Sequence, residues 1–313
     1  MRKAIVLAGA TASGKSELGE AVAAAVGGEV VCADARQVFR ALEIGTGKPT
    51  PAERAERPHH LFAALALGER PSAGWYAREA SAVCESLFAR GVTPVLVGGS
   101  GLYLRALLEG LHSLPPHDAA VRADLMRELA TLGAAALHAR LAGLDPAAAA
   151  RIEPGDRQRI VRALEVQTTS GRPLSSWHAE EAREPLAADF RVFLVEWDPA
   201  ALRARIALRT EAMFAGGLVE ETAALLAAGS GEALAALHAI GYDEAAGLLA
   251  GRLDAATARE RTVQRTRQLA KRQRTWFRHQ LRAELLAGAA GTTAMLARVQ
   301  ADFAAHARPG PHD

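Results

Sequence analysis

Apolar and polar positions follow two different rhythms along this chain. Residues 3–8 (KAIVLA) are a short apolar run of strand length, residues 9–16 are polar and glycine-bearing, and the alanine-rich stretch to about Val26 predicts a helix. Residues 29–33 (EVVCA) predict a second strand, which ends at Asp34. Residues 74–90 carry Trp75, Tyr76, Ala80, Val83, Leu87 and Phe88 on one side, as a helix with a buried face does. Residues 92–97 (VTPVLV) predict a third strand, and Gly98-Gly99-Ser100-Gly101 leads from it into another helix. Strands alternating with helices through crossovers this long predict an α/β fold: a parallel, doubly wound sheet flanked by helices.

The rhythm changes at Leu114-Pro115-Pro116. From there to about residue 186 only helical patterns occur, punctuated by Gly133, Gly143, Asp145-Pro146, Pro154-Gly155 and Gly171-Arg172-Pro173. Residues 190–197 (FRVFLVEW) then predict a strand again, so an all-helical domain is inserted into the α/β core. The expected organisation is core over 1–115, insertion over 116–189, core again over 190–285, and a frayed alanine- and glycine-rich tail over 286–313. Residues 200–228 and 255–285 predict long helices, and no internal repeat is present.

Composition bounds this picture. A length of 313 residues corresponds to about two domains of roughly 150 residues. A hydrophobic share of 50% with 23% charged residues excludes wholesale disorder. No apolar run reaches the roughly 18 residues of a membrane span, so no membrane association is expected. The basic-apolar start runs into the glycine-bearing segment rather than a cleavage site, which favours a first strand over a signal peptide. Cys32 and Cys84 supply neither a disulfide framework nor a metal cluster, and a reducing cytoplasm is the expected setting. The net charge of +2 points to no partner by itself. Of 37 basic residues only Lys3, Lys15, Lys48 and Lys271 are lysine, and this bias directs attention to each of them because Lys and Arg are not interchangeable at a tight phosphate site.

Gly9-Ala10-Thr11-Ala12-Ser13-Gly14-Lys15-Ser16 fits G-x-x-x-x-G-K-[ST], after a strand and opening a helix as the motif requires. Its glycines let backbone amides turn onto phosphate oxygens, the helix amino terminus adds partial positive charge, Lys15 reaches the terminal phosphate and Ser16 is placed to ligand Mg²⁺. The motif predicts a P-loop NTPase-like sheet that binds a di- or triphosphate. P-loop NTPases place a carboxylate for Mg²⁺ at the end of a further strand. Here the third strand ends in Gly98-Gly99-Ser100, and the carboxylate, Asp34, ends the second. Strand carboxyl ends form the ligand crevice of such sheets, so Asp34 is expected to face the loop. It reads as a Mg²⁺-related carboxylate, as a general base, or as a cap for the following turn. Lys48, in Gly45-Thr46-Gly47-Lys48-Pro49, reads as a second anion contact or as a solvated loop lysine.

Between Arg259 and Arg282 stand nine basic residues and one acid, Glu260. Arg267, Lys271, Arg274 and Arg278 share a helix face, with Trp276, Phe277 and His279 interleaved, which reads as a nucleic-acid footprint or as a solvated charged helix. Arg151, Arg157, Arg159 and Arg162 form a weaker, acid-diluted patch in the insertion. Arg205 and Arg209, one turn apart, are positioned to reach a common anion. The pair His59-His60 has no spaced ligands beside it and is read as structural rather than metal-binding.

Several separated segments together resemble one family, the bacterial tRNA dimethylallyltransferases (tRNA isopentenyltransferases). These are residues 9–16, 34–49 (DARQVFRALEIGTGKP), 58–61 (PHHL), 94–111 (PVLVGGSGLYLRALLEGL), 156–166 (DRQRIVRALEV) with 170–175, 205–220, 239–242 (AIGY) and 266–278 (TRQLAKRQRTWFR), in that order, spanning about residues 4–282. The resemblance implies transfer of a dimethylallyl group from dimethylallyl diphosphate to N6 of the adenosine 3′ of the anticodon. The loop then holds the diphosphate leaving group, with Mg²⁺ bridging its oxygens and Ser16 as ligand. It implies that Asp34 accepts the N6 proton, that Ser100 lines the reaction channel, and that Arg205 stabilises the diphosphate. It implies tRNA contacts at Asp34, Ala35, Arg36, Gln37, Ser100, Arg122, Gln158, Arg159, Ile160, Val161 and Arg162, to which the basic stripe adds Arg267, Lys271 and Arg274. The base must leave its stack to enter such a channel. A cytoplasmic monomer is expected. The chain departs from the family pattern where Ala35 and Phe39 replace a serine and a tyrosine, where Gly47 replaces an alanine, and where Ala10 replaces a proline. Competing functions are an adenylate isopentenyltransferase or P-loop kinase acting on a free nucleotide, and a non-enzymatic nucleic-acid-binding P-loop protein.

Overall fold

The computed structural model describes residues 2–112, 114–179 and 184–306. The chain divides into two compact units, Met1–Leu108 with Leu186–Asp313, and Glu109–Pro185. The first unit opens with β1 (Lys3–Gly9), α1 (Lys15–Val26), β2 (Gly28–Cys32), α2 (Pro51–Glu56), β3 (His59–His60), α3 (Ala73–Ala89), β4 (Thr93–Gly98) and α4 (Gly101–Leu108). The second holds α5 (Ala119–Leu144, kinked at Gly133), α6 (Pro146–Ala149), α7 (Arg157–Ser170) and α8 (Leu174–Ala179). The first unit then resumes with β5 (Asp189–Glu196), α9 (Pro199–Ala215), α10 (Leu218–Ala227), α11 (Gly231–Leu237), α12 (Tyr242–Leu249), α13 (Ala255–Gln280), β6 (Glu284–Ala287) and α14 (Gly291–Ala305).

The strands form one six-stranded parallel sheet in the order β3-β2-β4-β1-β5-β6. Alternate residues of each strand point to opposite faces. Ala4, Val6, Ala8, Val31, Leu96 and Leu194 meet Tyr76, Cys84, Leu87, Leu104 and Phe277 on one face. Ile5, Leu7, Val30, Val95, Phe193 and Val195 meet Leu18, Val22, Met295 and Val299 on the other. With both faces covered, the strands read as unbroken apolar runs.

Two sequence expectations are corrected here. The segment from residue 286 is not a frayed tail: it completes β6 and forms α14, whose Met295 and Val299 pack on the sheet and whose Asp302 takes a paired hydrogen bond from Arg191 at 2.6 and 2.7 Å. Residues 307–313 lie outside the described residues. The helix expected over 200–228 is two, broken at Gly216-Gly217. The histidine pair is structural: His59 bonds Glu20, and His60 bonds Glu29 at 2.6 Å, which ties the edge strand β3 to its neighbours.

The helical unit has its own core, in which Leu125, Leu129, Leu137, Leu141, Ile160, Val161 and Leu164 meet. Beside it lies a fully buried carboxylate, Glu165. The amide of Asp118 donates to it at 2.9 Å, and His117, Arg162 and Arg122 approach at 3.0, 3.2 and 3.4 Å. Burial pushes this carboxyl upward, but His117 and Arg162 more than offset it and hold its pKa below the ordinary value. Its contribution to stability is therefore present above the unfolded carboxyl's range and is lost as the pH falls through and below that range. Glu165→Ala leaves two guanidiniums and an imidazole facing an empty pocket and is expected to cost about 3 kcal/mol in urea unfolding near neutral pH, with the difference from the wild type shrinking in acid.

Candidate active site

Parallel strands deliver all their carboxyl ends to one edge of the sheet. Ala8 of β1 lies opposite Gly98 of β4, Cys32 of β2 opposite Val97, and Gly9 opposite Val195 of β5. The loop of residues 9–16, Asp34 and Ser100 thus leave the sheet side by side. They are bound together as well: the Ser100 amide donates to the Ala33 carbonyl at 3.1 Å, and the Ala35 amide donates to Ser100 Oγ at 2.8 Å.

The phosphate-type loop turns through two left-handed residues, Ala12 (φ +64°) and Gly14 (φ +87°). Gly14 adopts this region freely, whereas at Ala12 it stores strain. The loop's carbonyls point outward to fixed donors. Trp197 Nε1 donates to Ser13 O at 2.8 Å and Arg205 Nε to Ala12 O at 2.8 Å, and the Arg205 guanidinium stacks on the Trp197 ring with its carbon 4.4 Å from the centroid. Among the described residues, no group accepts from the amides of Gly14, Lys15 and Ser16. They form a concave set of donors at the amino end of α1, the arrangement that cradles an anion.

Lys15 lies buried within this cradle, its ammonium 3.4 Å from the Ala10 carbonyl. Burial drives its pKa down to about 8; the Asp34 carboxylate pulls back upward, and the Arg209 guanidinium adds to the depression. Arg209, half-buried, reaches Thr11 Oγ1 at 3.3 Å and Thr46 O at 2.8 Å. Arg205 and Arg209 of α9 therefore both touch the loop: Arg205 bonds the Ala12 carbonyl while stacked on Trp197, and Arg209 lies near Lys15 and Asp34. The i, i+4 spacing is the signal that points to Arg209.

Asp34 uses one oxygen as a turn cap: Oδ1 accepts from the amides of Arg36 at 2.8 Å and Gln37 at 3.4 Å. Among the described residues, nothing donates to Oδ2. Tyr103 of α4 is close enough that Asp34, after burial, pushes its phenol pKa upward, and Tyr103 stacks on the buried Tyr76 with centroids 4.4 Å apart. An apolar aromatic wall thus stands beside a carboxylate with a free oxygen.

Other expected residues sit differently. Lys48 is not a second anion contact: its side chain is fully buried and bonded to Phe39 O at 2.7 Å, Arg40 O at 3.2 Å and Glu43 at 3.0 Å. Gln37 is buried, and its amide nitrogen donates to Thr46 O and Gly47 O. Arg36, exposed, donates to Leu237 O at 2.7 Å, and Ala35 is half-buried next to Ser100. In the helical unit Gln158 and Arg159 are exposed, but Ile160 and Val161 are fully buried. They occupy the inward face of amphipathic α7, so their side chains present nothing to a partner. On α13, Arg267 and Lys271 are exposed, Arg274 is half-buried, and Arg278 is paired with Glu196 at 2.9 Å, which shortens the stripe by one.

The IPP transferase family model matches residues 37–280, and an isopentenyl transferase model matches residues 2–60. The chain belongs to the IPP transferase family. A tRNA dimethylallyltransferase of Anaeromyxobacter sp. is 46% identical over 92% of this chain and 95% of its own length. Another, of Geobacter sulfurreducens, is 48% identical over 88% of this chain and 89% of its own. Among solved structures, a tRNA isopentenylpyrophosphate transferase of Staphylococcus epidermidis is 29% identical, with a TM-score of 0.70 over 98% of this chain and all of its own. A eukaryotic dimethylallyltransferase acting on tRNA is 25% identical, with a TM-score of 0.81 over all of this chain and 82% of its own. The family shares the P-loop NTPase-like fold, a parallel sheet flanked by helices, seen here.

A lysine titrating near 8 gives the cradle a pH signature. Below that value Lys15 is cationic and favours an anion; above it the charge is lost. Inorganic diphosphate, titrated calorimetrically, is expected to bind more weakly as the pH rises through about 8. Lys15→Met is expected to bind roughly tenfold or more weakly at pH 7 and to lose that pH dependence beyond the diphosphate's own.

Proposed function

We infer that this enzyme transfers a dimethylallyl group from dimethylallyl diphosphate to N6 of the adenosine 3′-adjacent to the anticodon in tRNA, releasing diphosphate. The observation that carries the inference is the juxtaposition of an anion cradle with a carboxylate that keeps one oxygen free, at the same edge of the sheet, in a chain of this family. The C–O bond to the diphosphate breaks, the N6–C bond forms, and the N6 proton passes to Asp34 Oδ2. Ser100, fixed by the Ala35 amide, lines the acceptor side, and Tyr103 supplies an apolar wall for the isoprenoid. The amides of residues 14–16, Lys15, Arg205 and Arg209 take up the charge that grows on the leaving group. No carboxylate stands at the end of β4 to activate water against phosphorus, which disfavours a kinase or NTPase.

The donor set suits Mg²⁺ held through its ligand. The Ser16 hydroxyl at the amino end of α1 has no partner among the described residues, and these hold no group of three or more His, Cys, Asp or Glu able to cage an ion. Ser16 would hold it beside the diphosphate oxygens and water. When bound, the ion supplies further charge neutralisation to the leaving group.

The RNA is met by Arg267 and Lys271 on α13 and, in the helical unit, by Gln158 and Arg159. Among the described residues no helix is long and apolar enough to cross a membrane, and the cysteines are free and buried, in keeping with a cytoplasmic enzyme.

Asp34→Asn keeps the turn cap but removes the base. It is expected to lower the prenylation rate of an anticodon stem-loop about a hundredfold while leaving RNA affinity nearly unchanged. Arg267→Ala combined with Lys271→Ala is expected to weaken stem-loop binding and reduce the slope of log affinity against log salt by roughly 2. The acceptor decides the class: prenylation of AMP without prenylation of the stem-loop would establish the free-nucleotide alternative instead.

A further inference from the structure

One side chain from outside the sheet's carboxyl-end loops ties two of those loops together. Gln273, on α13, accepts through Oε1 from the Thr11 amide at 2.9 Å and donates through Nε2 to the Gly99 carbonyl at 2.9 Å. Thr11 belongs to the anion cradle after β1, and Gly99 immediately precedes Ser100 after β4. A carboxamide offers one acceptor and one donor side by side, which is what two backbone groups of opposite kind require.

The surroundings are shaped to this contact. A Cβ on Gly99 would stand 2.5 Å from the Gln273 Nε2, and one on Gly101 would stand 2.1 Å from the Trp276 ring of the same helix. Ala270, one turn earlier, packs with Ala10 and Ala12 of the cradle, and Phe277, one turn later, is buried in the sheet core. Helix α13 therefore lies against both loops through positions 270, 273, 276 and 277, and holds Gln273 with little freedom.

We propose that Gln273 is a positioning residue for the alkyl transfer: its carboxamide sets the spacing between the diphosphate cradle and the Ser100 loop. This deepens the assignment of the preceding section and rests on it. In that reaction the leaving oxygen, the carbon and N6 must be in line. The leaving group is held by one loop and the acceptor side by the other. Cutting the bridge leaves each loop able to bind its ligand but lets the two drift, and a misplacement of about 1 Å costs on the order of a hundredfold in rate. The signature is a loss in kcat with affinities preserved.

The test uses the full chain carrying Gln273→Met, Gly99→Ala or both. Gln273→Met keeps the length of the side chain without its hydrogen bonds. Gly99→Ala pushes the amide away from the opposite side while Gln273 stays present. Single-turnover prenylation of an anticodon stem-loop at saturating dimethylallyl diphosphate is expected to fall about 10- to 100-fold in either variant. Affinities for inorganic diphosphate and for the stem-loop are expected to stay within about threefold, and the double variant to lose little more than either single one. A rate within about twofold of the wild type, a loss confined to KM, or losses that multiply in the double variant would overturn the proposal. Should Gln273→Met fail to unfold cooperatively, Gly99→Ala alone decides. The wild-type protein runs in parallel: no product from it overturns the reaction assigned above, whereas product from it with an unchanged variant rate overturns the role of Gln273 alone.

Discussion

β1 hydrogen-bonds to β4 on one side and to β5 on the other, all three in the same direction, and the rest of the site depends on that pairing. Because the strands are parallel and in register, their exits leave the same edge of the sheet, adjacent ones roughly 4.8 Å apart. The cradle leaves β1, Ser100 leaves β4, Trp197 leaves β5, and Asp34 follows β2 on the far side of β4. No long-range folding event has to find these groups separately. Apolar pairing of Ile5, Val6 and Leu7 with Val95, Leu96 and Val97 brings the polar loops together as a by-product. Such a pairing is buried on both faces, and its backbone groups have no water to turn to, so a slip in register would be costly.

The electrostatics of the site are those of a place prepared for a ligand. Lys15 and Arg209 both have their pKa lowered first by burial, and Asp34 is the negative charge that most favours their charged forms. The cradle's amides at residues 14–16, which find no acceptor among the described residues, add further donors. Each of these features costs stability in the empty protein, and each is relieved when an anion enters. The strained Ala12 belongs to the same account: its left-handed backbone is held by bonds from Arg205 to its carbonyl and from Trp197 to the next.

Much of this was legible in the chain. Four of the six strands, the phosphate loop and the proximity of Asp34 to it follow from short apolar runs, one glycine-lysine spacing and the direction of parallel strands. What escaped did so for definite reasons. Two residues of β3 are too few to show a pattern. β6 and α14 lie in an alanine-rich stretch where Met295, Val299 and Phe303 are the sole periodic signal. Ile160 and Val161 share a matched segment with exposed neighbours, and a segment-level resemblance does not distinguish the two faces of a helix. Gln273 lies within a matched segment, but a neutral side chain leaves no trace in a charge pattern. Its partners are backbone atoms some 170 and 260 residues away.

Lys48 shows why the few lysines of an arginine-rich chain stand where they do. An ammonium has three N–H bonds, and the buried space around Lys48 holds three acceptors: two carbonyls and one carboxylate oxygen. Donor and acceptor counts match, and none is left over for a phosphate. A guanidinium would bring five donors in a rigid plane to the same three acceptors, leaving two without partners in a space closed to water. Among interchangeable surface cations composition is free to drift towards arginine; at this position the stoichiometry of hydrogen bonding is not.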